Sequence, residues 1–141
     1  MKIRKLAAAV AVMATLGASA QSPKYIFYYI GDGMGMGPVV AAETYNRVIL
    51  NSDKPLNMMQ MPVVGWCMTY SASSTITDSA AAGTALSAGT KTKNGMLGMN
   101  PDTADVVSVA KKLQAMGYGI GVTTSVAPDD ATPGAFYAHV P

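Results

Sequence analysis

Thr77-Asp78-Ser79-Ala80-Ala81-Ala82-Gly83-Thr84-Ala85 is the stretch whose reading decides the fold. A carboxylate and a hydroxyl lead straight into small residues of high helix propensity, which predicts a helix whose first turn lies near Ser79. Side chains this small let a helix pack close to a sheet. The Asp78-Ser79 pair has two physical uses. One is an N-cap, in which a side-chain oxygen accepts from a free backbone N–H. The other is a nucleophile held where N–H groups and the helix dipole favour an anion such as phosphate.

On the N-terminal side, Lys24-Tyr25-Ile26-Phe27-Tyr28-Tyr29-Ile30 is apolar and aromatic without alternation, the pattern of a strand buried on both faces. It runs into Gly31-Asp32-Gly33-Met34-Gly35-Met36-Gly37, then Pro38 and a helix from Val39 to about Leu50. Residues 51–62 read as loop, with Met58, Met59 and Met61 as adaptable core packing. Val63 to about Tyr70 is a second strand, and residues 71–75 are a polar loop entering the central stretch.

On the C-terminal side, Gly89 and Lys93-Asn94-Gly95 mark a loop. Asp102 is expected to cap a helix on which Val106, Val109, Ala110, Leu113 and Met116 recur at helical spacing, with Gly117 just past its end. Gly119 to Thr124 reads as a third buried strand, and a short helix is expected from about Pro133 to His139. Strands alternating with helices predict an α/β fold, a mostly parallel sheet flanked by helices.

Residues 1–20 stand apart from this pattern. Lys2, Arg4 and Lys5 precede an apolar run, and Ala18-Ser19-Ala20 forms a small-x-small cleavage site, the layout of a signal peptide cut after Ala20. The expected product is exported, secreted or periplasmic, with no membrane span after cleavage. Without the leader, seven basic residues face eight acidic ones, a net charge of about −1, so no basic patch argues for nucleic acid. Cys67 is the single cysteine, which excludes an internal disulfide and suggests a small core residue.

In a parallel sheet, ligands bind beyond the carboxyl ends of the strands. Asp32 follows the first predicted strand, Asp78 and Ser79 lie beyond the second, and Asp130 and Thr132 follow the third. Each has a plainer use: Asp32 as a turn residue between glycines, Asp129 and Asp130 as caps of the last helix. Brought to one edge, they are oxygen ligands for a hard cation or Zn²⁺, and an aspartate beside a serine hydroxyl and a metal activates that hydroxyl for attack.

Ile30-Gly31-Asp32-Gly33-Met34-Gly35, Thr77 to Ala85 and Asp130-Ala131-Thr132-Pro133 together resemble the N-terminal motifs of the alkaline phosphatases, and Gly89-Thr90-Lys91-Thr92-x-Asn94-Gly95 resembles the segment after that family's serine helix. The resemblance covers nearly all of residues 21–141, which it identifies as the N-terminal part of a catalytic domain incomplete in this chain. It implies hydrolysis of phosphate monoesters through a phosphoserine intermediate, with two Zn²⁺ and one Mg²⁺, in a protein that is often homodimeric. Ser79 would be the catalytic nucleophile and, with Asp32 and Thr132, would lie at the metals. Asp32 would bridge a zinc and the magnesium, and Thr132 would bind the magnesium. Asp130 would act through waters on the magnesium, and Asp78 would orient a phosphate-binding arginine.

The resemblance places that arginine and the zinc histidines beyond Pro141, and His139, the sole histidine, matches no ligand of the family. The alternatives are a phosphodiesterase or sulfatase of the same superfamily, disfavoured by Ser79, and a non-catalytic fragment. As a free chain the protein is expected to be inactive.

Overall fold

The computed structural model describes residues 22–141, so the leader read in residues 1–20 lies outside the described residues. The chain divides into two units at Gly31. In the first, residues 22–31 contain no helix or strand, and Tyr25, Phe27 and Tyr29 are exposed. The expected doubly buried strand at Lys24–Ile30 is therefore not formed.

The second unit, Asp32–Pro141, is built from four α-helices and connecting turns. Helix α1 spans Met36–Val48. Pro38 falls in its first turn, where the missing N–H breaks no helical bond. Glu43 and Arg47 pair one turn apart at 2.8 Å, and the second Glu43 oxygen accepts from the Leu56 N–H at 2.9 Å, tying the following loop back to the helix. That backbone bond, then the Arg47 guanidinium, holds the Glu43 carboxyl below its ordinary value. A 3-10 turn at Asn57–Gln60 leaves Met58, Met59 and Met61 exposed, so the methionine cluster is not core.

Helix α2 spans Ser79–Ala88. Asp78 is its N-cap, with extended backbone and a carboxylate oxygen accepting from the Ala81 N–H at 2.8 Å. Gly89 ends it in the left-handed conformation, φ 70°, with its N–H on the Ala85 carbonyl, a conformation that costs glycine little. Ala80, Ala81, Gly83, Thr84 and Ser87 are buried along α2, so the core around it is made of small groups. Its hydroxyls are all engaged. Thr84 accepts from the Gly98 N–H at 2.9 Å, and Ser87 donates to the Ala135 carbonyl at 2.7 Å.

Helix α3 spans Val109–Ala115 and is capped by Ser108, not by Asp102. The Ser108 hydroxyl accepts from the Lys111 N–H and donates to the Phe136 carbonyl, whereas Asp102 sits in a turn closed by the Asn100 side chain. Gly117 follows α3 at φ 90°, as its position predicts. Helix α4 is shorter than expected, Ala131–Gly134, with Asp130 at its N-cap position.

The anticipated parallel sheet is absent among the described residues. The only β pairings there are two isolated antiparallel bridges, Leu97 with Val140 and Met99 with Asp105. Val63, Val64, Trp66 and Met68 are exposed, as is Cys67, which is therefore not a core residue; Ile120 and Val122 are exposed as well. A strand is defined by its ladder, and an apolar run supplies the tendency to be buried but not the partner.

Helices α2 and α4 pack closely against each other. A Cβ built on Gly83 would come within 2.8 Å of the Ala135 Cβ, closer than side chains approach. Gly83→Val should cost about 1–3 kcal/mol through overpacking, read as a lowered midpoint in urea unfolding. Asp78→Ala should cost about 0.5–2 kcal/mol by removing the cap, with Asp78→Asn recovering most of it in the same assay. For Glu43 the folded value is depressed, so its contribution is present above the ordinary carboxyl range and is lost as pH falls through the folded value. The protection factor of the Leu56 amide should fall across that acid range and become flat with pH in Glu43→Gln.

Candidate functional site

Three oxygen-bearing side chains from distant parts of the sequence meet at Asp32. The Ser79 Oγ lies 3.1 Å from each Asp32 carboxylate oxygen, and the Thr132 hydroxyl donates to Oδ2 at 2.7 Å. One proton bonds to one oxygen at a time. With Oδ2 already taken by Thr132, Oδ1 is the better acceptor for the Ser79 proton.

The elements explain the meeting. Asp32 lies in the glycine-rich turn before α1, where Gly33 adopts φ 65°. Ser79 is the first residue of α2, and Thr132 is in the only turn of α4. Gly83 and Ser87 follow Ser79 at four-residue intervals, and Ala135 follows Thr132 by three, so each hydroxyl extends the helix face packed at the α2–α4 contact.

The N-terminus of α2 is partly satisfied. The Ala81 N–H is held by the Asp78 carboxylate and the Asp78 N–H faces the Asn94 Oδ1 at 3.4 Å, while the N–H groups of Ser79 and Ala80 have no acceptor among the described residues. First-turn N–H groups of this kind, with the helix dipole behind them, favour an anion beside Ser79. Asp78 does more than cap: its other oxygen accepts from the Gly95 N–H at 2.6 Å. Asp130 is exposed at the head of α4, and its side chain makes no cap bond.

Of the five candidates, the structure thus joins Asp32, Ser79 and Thr132 directly. It gives Asp78 a backbone-holding place and leaves Asp130 adjacent in sequence to the cluster, with its backbone bonded to Ala127 and Gly134 and its side chain making no cap bond. The sequence reading put Asn94 and Gly95 in a loop and gave them no site role. Both touch the segment before Ser79, and the signal was an Asn-Gly pair, a turn with positive φ next to a side-chain amide.

A carboxylate and two hydroxyls are hard oxygen donors, the set that suits Mg²⁺ with water completing its shell. They do not make a zinc site, which takes nitrogen, sulfur or several carboxylate ligands. Among the described residues no three His, Cys, Asp or Glu side chains come together. His139 is engaged elsewhere, with Nδ1 2.7 Å from the Gly98 carbonyl oxygen and 3.8 Å from Asp105. Arg47, the one arginine among the described residues, is paired with Glu43 and gives the site no cation.

The family model for alkaline phosphatase matches residues 23–141. The alkaline phosphatase of Escherichia coli K12 is 34% identical over 123 residues, covering 83% of this chain and 26% of its own length. The alkaline phosphatase of Thermus thermophilus superposes with a TM-score of 0.71 at 29% identity, over 79% of this chain and 24% of that one. A variant of the TAB5 alkaline phosphatase, an Antarctic bacterial enzyme solved with Mg bound in its M3 site, gives a TM-score of 0.66 at 32% identity over 78% and 30% of the two chains. The chain spans about a quarter of the length of the curated relatives it matches, 21% to 26%. With a family model covering all but the first 22 residues, the chain belongs to the alkaline phosphatase family.

Proposed function

We propose that residues 21–141 are the N-terminal part of an exported phosphomonoester hydrolase and that Ser79 is its nucleophile. The observation that carries this is the Asp32 carboxylate, which accepts from both the Ser79 and the Thr132 hydroxyls.

In this reading Ser79 Oγ attacks the phosphorus of a phosphate monoester, the bond from phosphorus to the ester oxygen breaks, that oxygen leaves and takes a proton from water, and a phosphoserine forms; on its later hydrolysis the Ser79 oxygen takes back the proton held by Asp32. Asp32 Oδ1 orients the hydroxyl and takes up its proton, and Thr132 keeps Oδ2 occupied so that the carboxylate presents one edge to Ser79. The free N–H groups of Ser79 and Ala80 favour the phosphoryl oxygens as charge builds on them. Water then hydrolyses the phosphoserine and regenerates the hydroxyl. Asp32, Ser79 and Thr132 would hold Mg²⁺, with Asp130 reaching it through water; when bound, the ion supplies positive charge that lowers the hydroxyl pKa. The TAB5 variant solved with Mg in its M3 site supports Mg²⁺ use at the level of the family. The residues present do not fit two zinc ions, since among the described residues no three His, Cys, Asp or Glu side chains come together. The substrate class is phosphate monoesters, as the family name implies, and a homodimer is the proposed assembly.

As a free chain, residues 21–141 should hydrolyse p-nitrophenyl phosphate no faster than buffer containing Mg²⁺ and Zn²⁺, because no cation of the described chain reaches the site. Exchanged for the matched quarter of the E. coli relative, the same residues should sustain turnover and yield an acid-stable phosphoserine. Ser79→Ala in that chimera should lower the rate by about 10³-fold or more and abolish the phosphoserine. A phosphorylated intermediate that survives Ser79→Ala would overturn the assignment.

A further inference from the structure

The segment that delivers Ser79 is a polar loop, residues 71–78, without helix or strand. Small polar residues make a poor rigid support on their own, so whatever holds this loop helps to set the direction of the Ser79 hydroxyl at the start of α2. The bonds converge from one place, the turn after α2. The Asn94 side-chain amide donates to the Ile76 carbonyl at 3.1 Å, and its Oδ1 faces the Asp78 N–H at 3.4 Å. The Asn94 backbone N–H donates to the Ser73 hydroxyl at 2.9 Å. The adjacent Gly95 N–H donates to Asp78 Oδ2 at 2.6 Å, aimed there by a backbone at φ 90° that suits glycine.

Two consecutive residues therefore grip the loop at Ser73, Ile76 and Asp78, the last immediately before Ser79. The turn is itself anchored to the far side of the same helix, because the Thr84 hydroxyl reaches the Met96 carbonyl at 3.4 Å and accepts from Gly98. Helix, turn and loop form a closed circuit around the first turn of α2. Each exposed bond is worth little alone, but three fixed points define a position and an orientation.

We infer that Asn94 is a positioning residue for Ser79, acting with Gly95 to aim the hydroxyl at Asp32 by clamping the loop that precedes it. Asn94 touches neither hydroxyl nor carboxylate of the site, and its side chain has the required chemistry. A side-chain amide carries a donor and an acceptor on separate atoms, and here one donates to the Ile76 carbonyl while the other faces the Asp78 N–H. An aspartate would keep the acceptor, lose the donor, and add a second negative charge near the Asp78 carboxylate.

The inference rests on Ser79 as the reacting group, and its test needs no turnover, so the two fail separately. In the free chain, the ¹³Cβ resonance of Ser79 should shift on Asp32→Asn, because the hydrogen bond to the carboxylate changes. In an Asn94→Ala background that response should be lost, and exchange of the Ala81 amide should speed up by about tenfold as the cap loosens. Protection of the Leu97 and Val140 amides, which pair with each other away from this loop, should stay as in the parent and reports that the variant is folded. Asn94→Asp, which keeps the side chain's size, should lose the response as Asn94→Ala does. A Ser79 resonance that still responds to Asp32→Asn in both folded variants would overturn the inference.

Discussion

The close approach of α2 to α4 is the constraint on which the rest of this structure depends. With no side chain at Gly83, the two backbones come near enough for the Ser87 hydroxyl to reach the Ala135 carbonyl at 2.7 Å. Ser79 lies one turn before Gly83 and Thr132 one turn before Ala135, so a contact made of small groups fixes the separation of two hydroxyls. Asp32 then has one carboxylate to offer and two donors at the right distance. The site is a result of helix packing, and its precision is that of a contact between small, rigid groups.

That arrangement puts unusual weight on buried hydroxyls. Thr84, Ser87 and Thr92 are fully buried where larger apolar side chains would ordinarily lie, and among the described residues no buried side-chain polar atom lacks a partner. Hydroxyls of this kind contribute little through apolar area but hold turns in place through specific bonds. The Gly98 turn, whose φ of 60° and near contact with the Ala138 carbonyl leave no room for a Cβ, is held by the Thr84 hydroxyl.

Much of the local geometry of the candidate site was legible in the sequence. Asp78 followed by small helix formers announces a capped helix, and Asp32 among glycines announces a turn that exposes a carboxylate. The strand pattern predicts convergence at a sheet edge, whereas in the described residues the turn before α1 and the packed helices α2 and α4 bring Asp32, Ser79 and Thr132 together without a sheet. Long-range pairing is what a single sequence encodes least. Val63 to Met68 and Tyr25 to Tyr29 have the composition of strands, yet their side chains are exposed. Asp102 misled for a related reason: a carboxylate before an apolar-periodic run satisfies the rule for a cap, but the hydroxyl of Ser108 also reaches Phe136, and that second bond sets where the helix begins. At Asn94 the Asn-Gly pair announces a turn, but which groups the side-chain amide bonds is set only once its two partners, the Ile76 carbonyl and the Asp78 N–H, are placed.

Gly83 also acts as a keyway. Its other function is to make the seating of α2 on α4 unique, because a slip by one turn would bring the Cβ of Ser79 or Ser87 to the place where no Cβ fits. Helices lined with alanine are prone to slide, since one small side chain substitutes for another at little cost. A single missing methyl group at the crossing breaks that degeneracy. The chain therefore carries its register in one position, and the alignment of Ser79 with Asp32 is digital: either seated, or displaced by a full turn of about 5.4 Å and out of reach.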